Sequence, residues 1–486
     1  MNNNMSLSFI VVQNFQKNAT KKCLGFKTKN NWNWVTKQEL YNNILTSREI
    51  LKTHDVKKGD RVAFKGKNSQ EWISWNLATN SLGAIWVPMY EDQNMDYCNY
   101  IIKDCTPKLF INDKENTNIP TINPMIPKEE NESISDFIDN PISTLIYTSG
   151  TTGSPKGVML SNENIISNIQ AIHKRFYNLP SSTSLNILPW AHVYSQTCEL
   201  YYNLLHNHKI ALSSSRETFL KECRQINPTT LYLVPRVLEL VKHKLHYFNN
   251  PMFEFCIPTL LKQLFGNKLT YIFTGGAKLN HETKMFYEKY GYIICEGYGC
   301  TETSPMVSVN HFNYPRNIQS IGKELDEISV EIVNGEIQVS GPNIMLGYWN
   351  NEEATKKVLI ERDNKIWYKT GDSGSIKDGY LYYEGRINDN YKLSNGKFVD
   401  IDKVENIIKQ YLNTPFIVFG ENLDYNEMIT TKKIPSFILE LINNTLDSYL
   451  VIKKIHIINE DELSKYLTPK MSIKRKQLIE YIKKDI

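Results

Sequence analysis

Short apolar runs alternate with longer amphipathic stretches between residues 60 and 300. The runs Arg61–Phe64, Lys108–Ile111, Leu145–Thr148, Leu185–Leu188, Lys209–Leu212, Thr230–Val234, Leu269–Thr274 and Tyr292–Cys295 each span four to six residues, the length of buried strands. Between them, Gln70–Leu82, Asn162–Lys174, Val237–His246 and His281–Tyr290 repeat apolar positions at helical spacing. The alternation predicts an α/β body of mixed, mainly parallel sheets flanked by helices. Ligands of such sheets gather beyond the carboxyl ends of the strands.

After residue 320 the period shortens. Ile328–Val333 and Glu336–Ser340 flank Asn334-Gly335, a two-residue hairpin signal, and predict a small β unit after the body. The last hundred residues return to short alternating elements, with a polar boundary, Gly-Arg-Ile-Asn-Asp-Asn, at 385–390. Residues 113–135 are rich in Asn, Glu and Pro and read as a surface loop. The expected organisation is a body over 1–385, a hinge over 386–390 and a small α+β C-terminal domain over 391–486.

Composition narrows this picture. A chain of 486 residues exceeds what one core usually serves, so at least two domains are expected. The net charge of +4 is small and dispersed, which gives no case for nucleic acid. Eight cysteines show no CxxC pair, so neither zinc nor a disulfide framework is implied, and a reducing, cytoplasmic setting is expected. The N-terminus lacks the basic flank and long apolar stretch of a signal peptide. No run approaches the roughly 18 apolar residues of a membrane span, so any membrane contact would be peripheral.

Residues 147–157 read Tyr-Thr-Ser-Gly-Thr-Thr-Gly-Ser-Pro-Lys-Gly, directly after an apolar strand. Clustered glycines free the backbone for close ligand approach, while hydroxyls, amides and one ammonium supply the donors a polyphosphate takes. A nucleotide P-loop ends in Gly-Lys-Ser/Thr at a helix start. Here Lys156 precedes Gly157 and follows Pro155, an order that does not fit. A second cluster, Glu296-Gly-Tyr298-Gly299-Cys-Thr301-Glu302, sits at another strand end and unites an aromatic face, a hydroxyl and a carboxylate. Those groups suit adenine, an α-phosphate and Mg²⁺ respectively.

Together these segments resemble the signatures of the adenylate-forming superfamily, which activates carboxylates as acyl-AMP. Within it the chain is most similar to eukaryotic-type long-chain fatty acyl-CoA synthetases, on Pro235-Arg236-Val, Tyr391-Lys-Leu-Ser-Asn-Gly396-Lys-Phe-Val and Leu467-Thr-Pro. The resemblance implies ATP, Mg²⁺, coenzyme A and a medium- or long-chain fatty acid as ligands. It places Ser149, Gly150, Thr151, Thr152, Gly153 and Lys156 on phosphates, with Thr151 and Glu302 at the metal. It places Tyr298 and Gly299 at adenine, Thr301 at the α-phosphate, and Gly275-Gly276-Ala277 along the adenine and acyl pocket. Asp372 and Arg386 fall at the ribose, and His192 near the reacting carboxylate, with Trp190 and Tyr194 lining or closing the acyl pocket. Gly396 would border the pantetheine tunnel, and Asn388 the hinge of a mobile C-terminal lid.

One departure stands out. Relatives carry an adenylation lysine in a pattern like Leu-Thr-Pro-x-x-Lys-x-Lys-Arg, and this chain reads Leu467-Thr-Pro-Lys-Met-Ser472-Ile-Lys474-Arg475. Ser472 occupies the lysine position. In an extended segment residues 470, 472 and 474 share a face, so Lys470 or Lys474 could replace it. The expected activity is therefore fatty acid–CoA ligase, and the rivals are a catalytically weakened acyl-adenylate or ATP-binding homologue and an adenylating enzyme that loads a carrier protein.

Overall fold

The computed structural model describes residues 6–113, 119–129, 132–134, 136–148, 155–245, 254–313, 316–467 and 473–484. Of the glycine-loop positions, Ser149, Gly150, Thr151, Thr152 and Gly153 lie outside these, as does Ser472.

Two large sheets organise the α/β part. In the nine-stranded sheet, Lys22–Thr28, Lys209–Leu212, Thr183–Asn186, Thr230–Leu233, Tyr271–Thr274 and Ile293–Gly299 run parallel, and antiparallel strands close both edges. In the seven-stranded sheet, Thr144–Thr148, Ile85–Met89, Arg61–Lys65, Leu109–Ile111 and Thr121–Ile122 are parallel. The strand Lys156–Leu160 then returns antiparallel to Thr144–Thr148, with Thr148 opposite Lys156. The glycine-rich segment thus joins two antiparallel strands, whereas a P-loop joins a strand to a helix. That topology is the structural counterpart of the reversed Lys-Gly order.

A continuous core joins the sheets through the helices Leu7–Lys17, Lys37–Thr53, Gln70–Ser81 and Asn162–Arg175. Trp72, Trp86 and Trp190 meet edge to face inside it, at centroid distances of 5.3 and 5.6 Å. Helix starts are marked as their chemistry requires. Thr36 and Glu39 form a reciprocal capping box, and Ser69 and Ser161 cap the next two helices.

The predicted hairpin at Asn334-Gly335 is present, with φ of 52° and 80° at its two corners, the left-handed pair such a turn needs. It belongs to an antiparallel unit with Leu359–Arg362, Lys365–Lys377 and Tyr380–Arg386. Beyond residue 390, two clusters built from Tyr391 to Ile482 pack around the sheet Phe416–Phe419, Asn426–Thr430 and Ile452–Ile457. Arg475 ties this part together, donating to Glu405 Oε1 at 2.6 Å and to the Val418 carbonyl at 2.5 Å. Among the described residues no helix is long and apolar enough to cross a membrane.

Some boundaries differ from expectation. The strand placed at Leu185–Leu188 runs over Thr183–Asn186, because the Asn186 amide turns back to the Leu188 carbonyl. The last parallel strand extends past Cys295 to Gly299, so Tyr298 sits on a strand end. The segment Tyr194–Tyr201 is a π-helical turn, a rare form that apolar spacing does not announce.

A buried histidine cluster gives a pH prediction. His206 stacks on His173 at 3.8 Å, and His208 meets Ser182 at 2.9 Å. Burial, reinforced by charge on His173, holds the pKa of His206 down to about 3 and of His208 to about 4. The folded state refuses protons that the unfolded chain accepts below about pH 6.5, so stability is complete above that pH and falls as pH drops toward 4. Thermal melting should decline by several degrees between pH 7 and pH 5, and His206→Asn should flatten that slope.

Candidate active site

The parallel strands Tyr271–Thr274 and Ile293–Gly299 end side by side, with Thr274 opposite Glu296. Each then enters a glycine-rich turn. Gly276 holds φ of 81°, and a Cβ on Gly299 would fall 1.7 Å from the Pro305 carbonyl oxygen, so no other residue fits there. The two turns and the segment after Pro189 border a narrow cleft lined by His192, Tyr194, Gly275, Gly276, Tyr298 and Thr301, among others. Sequence-predicted residues more than eighty positions apart therefore share one wall.

The Tyr298 hydroxyl donates to Asp372 Oδ2 at 2.6 Å, and Arg386 Nε meets Asp372 Oδ1 at 2.9 Å. Asp372 sits in the long strand Lys365–Lys377 directly opposite Arg386, so the ladder register itself sets the ion pair. The carboxylate is almost fully buried. Burial and the Asp372 charge push the Tyr298 phenol well above its usual range, keeping it a donor. Arg386 also donates to the Thr370 carbonyl at 3.2 Å. A carboxylate accepts about four hydrogen bonds, so Asp372 keeps capacity for two vicinal hydroxyls. Tyr298→Phe removes one positioning bond from this pair. We expect ATP KM to rise roughly five- to tenfold with kcat within about twofold, read from initial rates at varied ATP.

Glu302 lies in the short turn Thr301–Thr303, whose first residue is buried. Its Oε1 accepts from the Tyr348 hydroxyl at 2.9 Å, and the Lys156 ammonium stands 4.9 Å from the centre of the Tyr348 ring. Tyr348 comes from the two-residue strand Gly347–Tyr348, paired with Lys156–Leu160. It thereby links the residue after the glycine loop to the carboxylate of the second cluster. Burial first, and then the Glu302 charge, raise its phenol far above the ordinary tyrosine range. Tyr348 escaped the sequence reading: a single tyrosine in a two-residue strand carries no periodicity.

The donor set also bears on a metal. Mg²⁺ in nucleotide sites is typically held by one or two carboxylates plus phosphates and water. One carboxylate, Glu302, linked through Tyr348 to the Lys156 ammonium, fits that mode, and no group of three or more acidic, His or Cys ligands exists among the described residues.

His192 is fixed by the turn that presents it. Its Nδ1 accepts the Tyr194 amide at 3.2 Å, which leaves Nε2 as the proton-bearing nitrogen of the neutral ring. Trp190 is wholly buried against Trp72, and Tyr194 lines the cleft. Ala277 follows Gly276 in the exposed turn.

Lys474 and Gly396 are not part of this constellation. Gly396 occupies a turn at φ 79° with open space where a Cβ would lie, so its conformation alone explains the glycine. The Lys474 amide donates to the Tyr466 carbonyl at 2.7 Å beside a bridge between Leu467 and Ile473. These contacts are made inside the C-terminal part of the chain.

Two turns at the carboxyl ends of parallel strands, a buried Asp–Arg–Tyr set and an acidic turn beside Lys156 define a nucleotide-binding class of enzyme, and residues 12–349 match the AMP-binding enzyme family. The chain belongs to that family. It is similar to long chain acyl-CoA synthetase 4 of Arabidopsis thaliana, 24% identical over 575 aligned residues that cover 92% of this chain and 85% of that protein. Its fold matches o-succinylbenzoate coenzyme A synthetase (MenE) of Bacillus subtilis in complex with ATP and magnesium ion, with a TM-score of 0.80 at 20% identity over 96% of this chain and 98% of that one. It also matches the anthranilate CoA ligase AuaEII in complex with anthranoyl-AMP, with a TM-score of 0.81 at 19% identity over 99% and 98% of the two chains.

Proposed function

We propose that the protein is an AMP-forming acid–CoA ligase that uses ATP and Mg²⁺, with a medium- or long-chain fatty acid as the acyl donor. The observation that carries this reading is the Tyr298–Asp372–Arg386 set bordering the cleft that also holds Thr301 and His192. Curated relatives with long-chain acyl-CoA synthetase names support the fatty acid.

In this reading Asp372 accepts the ribose hydroxyls, Arg386 holds Asp372 in place, and Thr301 binds the α-phosphate. Glu302 and Thr151 hold the metal, which neutralises phosphate charge when bound. Lys156 and the hydroxyls of residues 149–153 receive the β- and γ-phosphates. The carboxylate oxygen attacks the α-phosphorus, the bond to the β-phosphate oxygen breaks, and pyrophosphate leaves. The thiol sulfur of CoA then attacks the acyl carbon, AMP departs, and the thiol proton passes to solvent. Positioning and charge stabilisation account for catalysis, with no covalent enzyme intermediate. Residues 391–486 act as the lid, hinged at 386–390, that changes place between the two steps.

The test is thioester formation by the purified protein over C8 to C20 acids with ATP and CoA. Acyl-CoA and AMP in equal amounts support the reading. Acyl-AMP that accumulates with CoA but discharges to a carrier protein rejects the acceptor, and no product from any acid rejects the ligase. A second reading, a weakened acyl-adenylate-binding homologue, rests on the serine at position 472 and is separated by the Lys474 experiment discussed below.

A further inference from the structure

Tyr194, which lines the cleft, begins the π-helical turn Tyr194–Tyr201 and packs toward one face of the nine-stranded sheet. The strand register defines that wall. Thr230 pairs with Ser184, Tyr232 with Phe273, and Phe273 with Cys295, so Asn186, Tyr232, Phe273 and Cys295 form one row on a single face. Two residues further along the same face come Gly275 and Gly297, which line the cleft and leave its slot beside Tyr194 without side chains. The Tyr194 ring fills the opposite side, and a Cβ on Gly275 would lie 3.6 Å from its Cε2.

The packing behind Tyr194 has a polar character that an unsubstituted hydrocarbon chain does not match. The Tyr194 hydroxyl is buried and has no hydrogen-bond partner among the described residues. One turn on, the fully buried Glu199 takes hydrogen bonds from Ser184 at 3.2 Å and from Asn186 at 2.6 Å. Tyr232 adds a second phenol to the facing wall. Burial raises the Glu199 carboxyl to about 8, so it stands neutral at pH 7 and adds polarity without a charge that would repel an acid.

Resting on the ligase reading above, we propose that Tyr194 determines acyl specificity, its hydroxyl donating to an oxygen carried on the chain of the acid. The preferred substrates are then oxo- or hydroxy-substituted acids rather than plain chains of equal length. A buried donor left unpaired by an alkyl group disfavours that ligand by about 10- to 100-fold relative to one that pairs it.

The test compares decanoic acid with a positional series of monohydroxy- and oxodecanoic acids, by calorimetric binding and by pyrophosphate release. The wild-type protein should bind at least one oxygenated acid ten times or more tighter than decanoic acid. Tyr194→Phe keeps the ring and should collapse that ratio to about twofold. Equal or tighter binding of decanoic acid, binding of no acid, or a ratio unmoved by Tyr194→Phe overturns the proposal. Wild-type binding is measured first, so a variant that fails to fold leaves the preference itself decisive. Oxygenated-acid preference in binding without pyrophosphate release rejects the ligase reading and keeps the slot. Pyrophosphate release that favours decanoic acid does the reverse.

Discussion

Glu302→Gln should lower acid-dependent pyrophosphate release by about 10²- to 10³-fold, the cost typical of removing one charge-stabilising group from a preorganised site. The substitution is nearly isosteric. The amide oxygen can still accept the Tyr348 hydroxyl, which now stands 2.9 Å from Glu302 Oε1, and the Met345 amide still reaches the residue 302 carbonyl. Folding should therefore be spared, with melting within about 1 °C of wild type, a shift worth about 1 kcal/mol in a chain of this size. Only the negative charge is lost. The Mg²⁺ concentration for half-maximal rate should rise in parallel, which a merely structural role for Glu302 would not produce. Unchanged rates at all Mg²⁺ concentrations would remove Glu302 from the metal.

Lys474→Ala should separate the two half-reactions. Lys474 begins the helix Arg475–Lys484 and makes no salt bridge among the described residues, whereas its neighbour Arg475 is held by Glu405 and Val418. A lysine with no ion-pair partner among the described residues, two residues from the position relatives fill with their adenylation lysine, is the candidate for the missing charge. Lys474→Ala should reduce acyl-AMP formation about 10²-fold while leaving thioester formation from supplied acyl-AMP within about threefold. Arg475 is unaltered, so the anchor of the C-terminal part stays in place. If the variant adenylates normally and Ser472→Lys accelerates the parent protein tenfold or more, the native chain is the weakened homologue.

Much of the architecture was legible because buried parallel strands are short apolar runs and their carboxyl ends carry unusual residues. Asn334-Gly335 announced its turn because both corners need positive φ. Tyr298, Asp372 and Arg386 were each readable as family positions, yet only the register that sets Asp372 opposite Arg386 shows them as one hydrogen-bonded set. What stayed hidden depends on long-range packing. The packing of Trp190 against Trp72, for example, is set by a helix more than a hundred residues away. The hairpin Lys22–Thr28 and Asn31–Thr36 was also missed, since it joins the sheet only through the distant parallel strand Lys209–Leu212. Tyr348 and the π-helical turn belong to the same class, elements created by partners rather than by local pattern.

The central claim is that this pocket activates a carboxylate with ATP, and single-turnover pyrophosphate release without CoA tests it most directly. The account predicts one equivalent of pyrophosphate per enzyme in the presence of a suitable acid, retained acyl-AMP, and conversion to AMP and thioester on adding CoA. Release of pyrophosphate that needs no acid, or none with any acid at saturating ATP and Mg²⁺, would contradict it.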